Sequence, residues 1–157
     1  MMFDKLPKNF FMVTGASEGY TPLNAFDGAL LDAGIGNTNL IKMSSIIPPG
    51  ASLIDPVPVP PGIFLPVAYG SLDSNVPGEI IAAAVAAAVP DDPSLPGVIM
   101  EYSTRGRKKD VESIARAMAE EAMTRRGITK MSIHSVSRET QVHSIAAIFA
   151  AVVLWNF

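Results

Sequence analysis

The segment Asn39-Leu40-Ile41-Lys42-Met43-Ser44-Ser45-Ile46-Ile47-Pro48-Pro49 carries a short apolar, strand-like run into two adjacent serines and then into a proline pair. Serine pairs are most often plain turn residues. Between a strand and a stiff loop, Ser44 and Ser45 also suit a backbone that cuts itself and turns Ser45 into a reactive carbonyl. On that reading the chain is a proenzyme.

Upstream of this segment, Phe10 to Thr14 reads as a first strand and Gly15 to Gly19 as a loop. Thr21-Pro22 has the form of a helix N-cap followed by proline at the first helical position, where its missing donor does no harm. The helix is expected to run to about Ala33 and to stop at Gly34. Leu23, Phe26 and Leu30 form its expected apolar stripe. Asp27, four residues after Leu23 and three before Leu30, is expected on that stripe. It reads either as a helix-surface acid or as a carboxylate held at a pocket for a ligand with an aliphatic stem and a cationic end.

Downstream, six prolines between residues 48 and 61 rule out a central strand or a helix there and predict an ordered extended loop. Ile63 to Tyr69 reads as a strand. Pro77 to Val89 is alanine-rich, begins with proline and ends before Pro90, which predicts a second helix. Val98 to Tyr102 reads as a short buried strand. Lys108 to Arg126 has Val111, Ile114, Ala115, Met118, Ala122 and Met123 at helical spacing and ends at Gly127. Met131–Ser137 and Val142–Trp155 read as two closing strands. The pattern is α+β or α/β, with no internal repeat and no domain boundary.

The chain has 157 residues, enough for one core. It is 48% hydrophobic and only 17% charged, against about 25% charged in an ordinary domain. Such thin polar cover predicts a homo-oligomer interface. The net charge is −3, and the one dense basic run, Arg105 to Lys109, reads as a solvated helix start, so no nucleic acid partner is expected. There is no cysteine, which excludes disulfides and thiol chemistry. No apolar signal region stands in Met1 to Asn9. The apolar run Ser144 to Phe157 is shorter than the ~18–20 residues of a membrane-spanning helix. No membrane association is expected, and the cytoplasm is the simplest location.

Val13-Thr14-Gly15-Ala16-Ser17-Glu18-Gly19 has the look of a dinucleotide loop. Its third glycine is missing, since Thr21 stands there, and no tyrosine–lysine pair at four-residue spacing follows. His134 and His143 are nine apart without a further ligand cluster, so no metal site is expected. Glu101 directly follows Val98-Ile99-Met100. It is either an outward-facing residue at a strand end or a carboxyl beside an apolar pocket. In the second case desolvation would keep it protonated and fit to deliver a proton near neutral pH.

Ser17-Glu18-Gly19, Thr21-Pro22-Leu23-Asn24-Ala25-Phe26-Asp27-Gly28-Ala29-Leu30-Leu31, Ala33-Gly34-Ile35-Gly36-Asn37, Asn39-Leu40-Ile41, Ser44-Ser45-Ile46 and Pro48-Pro49, in this order, resemble the pyruvoyl-dependent arginine decarboxylase family. The likeness continues through Ala68-Tyr69-Gly70, Val76-Pro77-Gly78-Glu79, Ile99-Met100-Glu101-Tyr102 and Phe149 to Trp155. It covers nearly the whole chain and is weakest at the amino terminus and over residues 50–61.

The resemblance implies an α+β fold, an αββα four-layer sandwich, assembled as a homotrimer or a pair of trimers with sites between neighbouring subunits. It implies a single proenzyme domain over 1–157 that cuts itself into 1–44 (the beta chain) and 45–157 (the alpha chain). The Ser45 hydroxyl would attack the Ser44 carbonyl, the amide would become an ester, and β-elimination would leave a covalent pyruvoyl group at Ser45. Asn39 resembles the family asparagine that assists there and at the substrate. The pyruvoyl carbonyl would form a Schiff base with L-arginine and accept electrons as carbon dioxide leaves. Glu101 matches the acid that protonates the resulting carbon, and agmatine is the product, an entry to polyamines. Leu23, Asp27 and Leu30 match the pocket for the arginine side chain, with Asp27 on the guanidinium. Gly36 and Thr38 would line the same site. Two alternatives stay open: the same fold and cofactor acting on another amino acid, and a non-catalytic paralogue that completes an oligomer.

Overall fold

The computed structural model describes residues 4–157. Among them are two helices and nine strands in two sheets. The first sheet has the order β2-β5-β9-β1-β4, with β1 at Asn9–Glu18, β2 at Asn39–Lys42, β4 at Ser52–Leu53, β5 at Phe64–Ser74 and β9 at Ala146–Trp155. The second has the order β3-β7-β6-β8, with β3 at Ile46–Ile47, β6 at Ile80–Pro90, β7 at Gly97–Arg105 and β8 at Met131–Gln141.

Strand alternation builds the layers. Phe10, Met12, Ala68, Ile148, Ala150 and Val152 of the first sheet meet Ile81, Ala83, Val85, Ala87 and Ile99 of the second in one apolar cluster. Phe11, Val13, Leu65, Val67, Phe149 and Val153 face the other way, onto helix α1 (Pro22–Asp32). Ala82, Ala84, Ala86, Ala88 and Val98 face helix α2 (Lys108–Arg125). The result is the four-layer αββα sandwich of the α+β class.

The alanine-rich stretch is where the sequence expectation fails. Pro77–Val89 is not a helix: Ile80–Pro90 is a central strand paired with both β7 and β8. Alanine's helix propensity amounts to only tenths of a kcal/mol per residue. Here β7 pairs along Ile81–Ala88 and β8 along Ile80–Pro90, and both faces are covered. Small side chains let α2 and the first sheet approach closely. Pro77 belongs to the preceding turn, with Gly78 at φ 86°.

Helix α1 begins as expected. Thr21 caps it, its Oγ1 accepting from the Asn24 N–H at 3.2 Å, and Gly34 follows its end at φ 83°. Its buried face is formed by Ala25, Ala29 and Leu30, with Phe26 partly buried against the same cluster, so two of the three expected stripe residues pack as expected. Gly15 on β1 makes room for this packing, since a Cβ there would stand 1.9 Å from the Ala29 carbonyl oxygen. Leu23 is 74% exposed and Asp27 lies on the same outer face. The expected stripe is therefore split: Phe26 and Leu30 pack onto the sheet, while Leu23 and Asp27 are exposed. Among the described residues no helix is long and apolar enough to cross a membrane.

Candidate active site at a serine junction

The Ser44–Ser45 peptide lies where the chain changes sheets. Just before it, the Met43 N–H donates to the Val67 carbonyl at 3.0 Å, continuing the β2–β5 ladder of the first sheet. Just after it, the Ser45 carbonyl accepts the Ile99 N–H at 2.8 Å, extending the β3–β7 ladder of the second. Ser44 bridges the two and is exposed, while Ser45 is partly buried. The alternation that sends Ile47 into the inter-sheet core turns Ser45 the same way.

Glu101 stands two residues past Ile99 on β7 and has the same parity, facing between the sheets. That is about 7 Å along the strand from the residue opposite Ser45. Its stem rests on Gly70 of β5, where a Cβ would come within 3.2 Å of the Glu101 Cβ and 3.4 Å of its Cγ. Burial raises the Glu101 carboxyl above the ordinary glutamate value, and the Lys42 ammonium pulls it partly back. Of the two readings open for Glu101, the geometry favours a partly desolvated acid beside an apolar core.

Tyr69, next to Gly70, points to the other face of β5. It packs on Phe26 and Phe149 at ring-centroid distances of 6.1 and 5.2 Å. The Lys42 Nζ lies 4.4 Å from its ring centre. The first turn of α1 is close by, and Leu23 and Phe26 line a cleft with Ser71, Leu72 and Asp73.

The other candidates lie apart from the junction. Asn39 opens β2, about 10 Å of strand before Lys42, and its Nδ2 donates to the Gly62 carbonyl at 3.0 Å. Thr38 Oγ1 donates to the Ile35 carbonyl at 2.7 Å, and Gly36 leaves space filled by the Leu31 side chain. Asp27 stands in the outer helix layer, with the first sheet between it and the layer that holds Glu101. One protomer thus groups Ser44, Ser45 and Glu101, and holds Asn39, Thr38 and Gly36 at the far end of β2. His134 is on β8 and His143 in the turn after it. Among the described residues no three metal-ligating side chains gather.

Three contributors were missed in the sequence. The Ile99 N–H left no side-chain signal. Lys42 looked like any strand lysine. Gly70 did carry a cue, because a glycine inside a strand often marks a close approach.

The residues fit a pyruvoyl precursor. Ser45 holds every carbon such a group needs, its carbonyl is already fixed, and a protonatable acid faces the same space. The fold and site together define an αββα sandwich with a serine pair at the crossing between its two sheets. Comparison with known proteins sharpens this. Residues 9–155 match the family model described as pyruvoyl-dependent arginine decarboxylase. A protein of that name from Methanocaldococcus jannaschii is 49% identical over 96% of this chain and 92% of its own length. Others from Methanococcus aeolicus and Pyrococcus abyssi are 46% and 40% identical, over 96% of this chain and 92% and 97% of theirs. The chain belongs to the pyruvoyl-dependent arginine decarboxylase family. Its enzyme class is that of a carboxy-lyase, and the cofactor named by the family is a covalently held pyruvoyl group.

Proposed function

We propose that the chain is a proenzyme that breaks its backbone between Ser44 and Ser45, giving residues 1–44 and 45–157, and then converts L-arginine to agmatine and carbon dioxide. The observation that carries this is the Ser45 carbonyl held by the Ile99 N–H at 2.8 Å, with Glu101 two residues further along the same strand.

In the first stage the Ser45 Oγ attacks the Ser44 carbonyl carbon. The C–N bond breaks, the nitrogen takes a proton, and an ester remains. Loss of the Ser45 α-proton and cleavage of its Cβ–Oγ bond then release Ser44 as a carboxylate. Addition of water and departure of ammonia leave the pyruvoyl carbonyl. Anchors at Met43 and Ser45 hold the scissile peptide from both sides, which limits the freedom lost on reaching the attacking geometry.

That carbonyl supplies an electron-withdrawing centre able to condense with an α-amine and take up the electron pair released with carbon dioxide. The protein's own groups do the rest. Glu101, whose protonated form is favoured by burial, delivers a proton to the former α-carbon. Asp27 offers a carboxylate to the planar guanidinium, with Leu23 beside its aliphatic stem. Because Asp27, Asn39, Thr38 and Gly36 stand apart from the Ser45–Glu101 group within one protomer, we infer a site completed by a second copy, in a homotrimer or a pair of trimers. Leu23 at 74%, Tyr20 at 91% and Leu31 at 52% exposure give that copy an apolar face to cover.

Intact mass combined with carbon dioxide release tests this. Two chains, the larger beginning with a pyruvoyl group, and release from arginine well above that from lysine, ornithine, aspartate or histidine are expected. Ser45→Ala should remain one chain and be inactive. A single uncut chain in fresh, folded protein would sink the proposal. Cleavage with release from a different amino acid would instead redirect the substrate.

A further inference from the structure

Glu101 sits on a stretch of β7 that is paired on one side only. β3 meets β7 at Gly97 and Val98, and the Ser45 carbonyl takes the Ile99 N–H. Beyond Ile99 no strand lies on that side among the described residues, while β6 pairs along the other side as far as Arg105. β5 has the matching gap in the first sheet. β2 stops at Lys42, opposite Val67, so over residues 68–74 β5 is paired with β9 alone. The acid therefore faces β5 where each of the two strands has one open side.

A side chain of β7 reaches across this gap. Ser103, two residues past Glu101 and of the same parity, donates its hydroxyl to the Ser71 carbonyl at 3.2 Å. Ser71 follows Gly70, on which the Glu101 stem rests. Glu101 and Ser103 thus meet consecutive residues of β5. The Val67 carbonyl accepts the Met43 N–H, and two-residue alternation aims the Ser71 carbonyl to the same side. Ser103 supplies there the donor that the β2 chain supplies at Val67.

We propose that Ser103 is a positioning residue for the reaction: its bond to the Ser71 carbonyl fixes the separation of β7 and β5 at the acid, and so the place from which Glu101 delivers its proton. This rests on Glu101 being the acid of the proposed reaction.

The rest of the contact around Glu101 does not fix that place. Ala68, Val85, Ile99 and Ile148 belong to the apolar cluster between the sheets, and apolar contact is non-directional. Gly70 has no side chain against which the Glu101 stem could lock. The next tie along the strand is at its far end, where Arg105 Nε meets Glu79 Oε1 at 2.6 Å and Glu79 accepts the Ser74 hydroxyl. The Ser103 bond is directional and one alternation away from the acid.

The test compares Ser103→Ala and Ser103→Thr with Ser137→Ala. The last removes a hydroxyl that donates to Glu112 at 2.7 Å on the α2 face of the same sheet. In processed enzyme Ser103→Ala should cleave to completion and lose about tenfold in kcat, with KM for arginine within about twofold of the parent. Ser103→Thr, which keeps the hydroxyl, should hold kcat within about twofold. Ser137→Ala should lose stability and keep its kcat. In uncleavable Ser45→Ala protein, which needs neither cofactor nor turnover, amide hydrogen exchange over residues 100–104 should quicken about tenfold with Ser103→Ala and stay at the parent rate with Ser103→Thr. Parent-like kcat in Ser103→Ala, an equal fall in Ser103→Thr, an equal fall in Ser137→Ala, or unchanged exchange would each overturn the proposal. Parent-like turnover of Glu101→Gln would instead remove the assignment of the acid, and needs no Ser103 variant to be seen.

Discussion

Ser45 and Ile99 are joined by a main-chain hydrogen bond of 2.8 Å, which makes the residue after the serine junction part of the second sheet. Its placement depends on how β3 lies against β7. Gly97 is the tight point: a Cβ there would stand 2.5 Å from the Ala88 carbonyl oxygen and 3.1 Å from the Ile47 Cβ. Gly97→Ala should push β3 away, destabilise the fold by about 1–3 kcal/mol and slow cleavage roughly tenfold, a barrier increase of about 1.4 kcal/mol. Chemical denaturation and a time course of intact mass measure the two effects. Parent-like cleavage would show that the Ser45–Ile99 register does not govern the cut.

Gly70→Ala is the milder counterpart. Its methyl group would press on the Glu101 Cβ at 3.2 Å and displace the acid by a few tenths of an ångström. Cleavage should go to completion, while kcat falls about tenfold and KM for arginine stays within about twofold, as befits a misplaced proton donor. Steady-state kinetics on fully processed enzyme decides this.

Asp27 is on the solvent face of α1, so Asp27→Asn should leave stability within about 0.5 kcal/mol of the parent. If the carboxylate receives the guanidinium, KM for arginine should rise about 10- to 100-fold, the range of a charge-assisted hydrogen bond. An unchanged KM would remove Asp27 from the substrate site.

Glu112 and Glu101 should give stability opposite pH dependences. Glu112 on α2 accepts from Ser135 and Ser137 on β8, each at 2.7 Å. The Ser137 bond is the leading reason that its carboxyl lies below the ordinary value. A folded value below the unfolded one means stability present above the unfolded value and lost as pH falls through the folded one. Glu112→Gln should therefore be less stable than the parent at neutral pH, and the gap should close in acid. Glu101, with a raised value, contributes stability below its unfolded value that is lost as pH rises through the folded one. Glu101→Gln should remove that alkaline loss. Denaturation of Ser45→Ala backgrounds across pH measures both.

The helices α1 and α2 were legible because the Thr21 cap of α1, the glycine stops of both and their apolar spacing are local signals. The strand at Ile80–Pro90 was not, since eight alanines and valines in a row carry no period that separates a strand covered on both faces from a helix. Ser44, Ser45 and Glu101 could be picked out by residue type and resemblance. That Leu30 is buried while Leu23 and Asp27 stay exposed depended on which face Gly15 allows α1 to bring close. The seats beneath Lys42 and Glu101 depended on β2 stopping at Lys42, a property of the sheet edge that no short window of sequence contains.

The strand order β2-β5-β9-β1-β4 has a consequence for the life of the molecule. Residues 1–44 supply β1 and β2, which grip the β5–β9 pair from its two sides, and α1 closes over one face. The proposed break after Ser44 would remove no rung of any ladder, so the small piece would stay on as a clasp. The same break would make unassisted folding available only once, before it occurs. An intact chain folds by itself, whereas separated pieces must first find each other in solution. Processed protein that is fully unfolded should regain structure only with a rate that grows with concentration, while Ser45→Ala protein should refold independently of it.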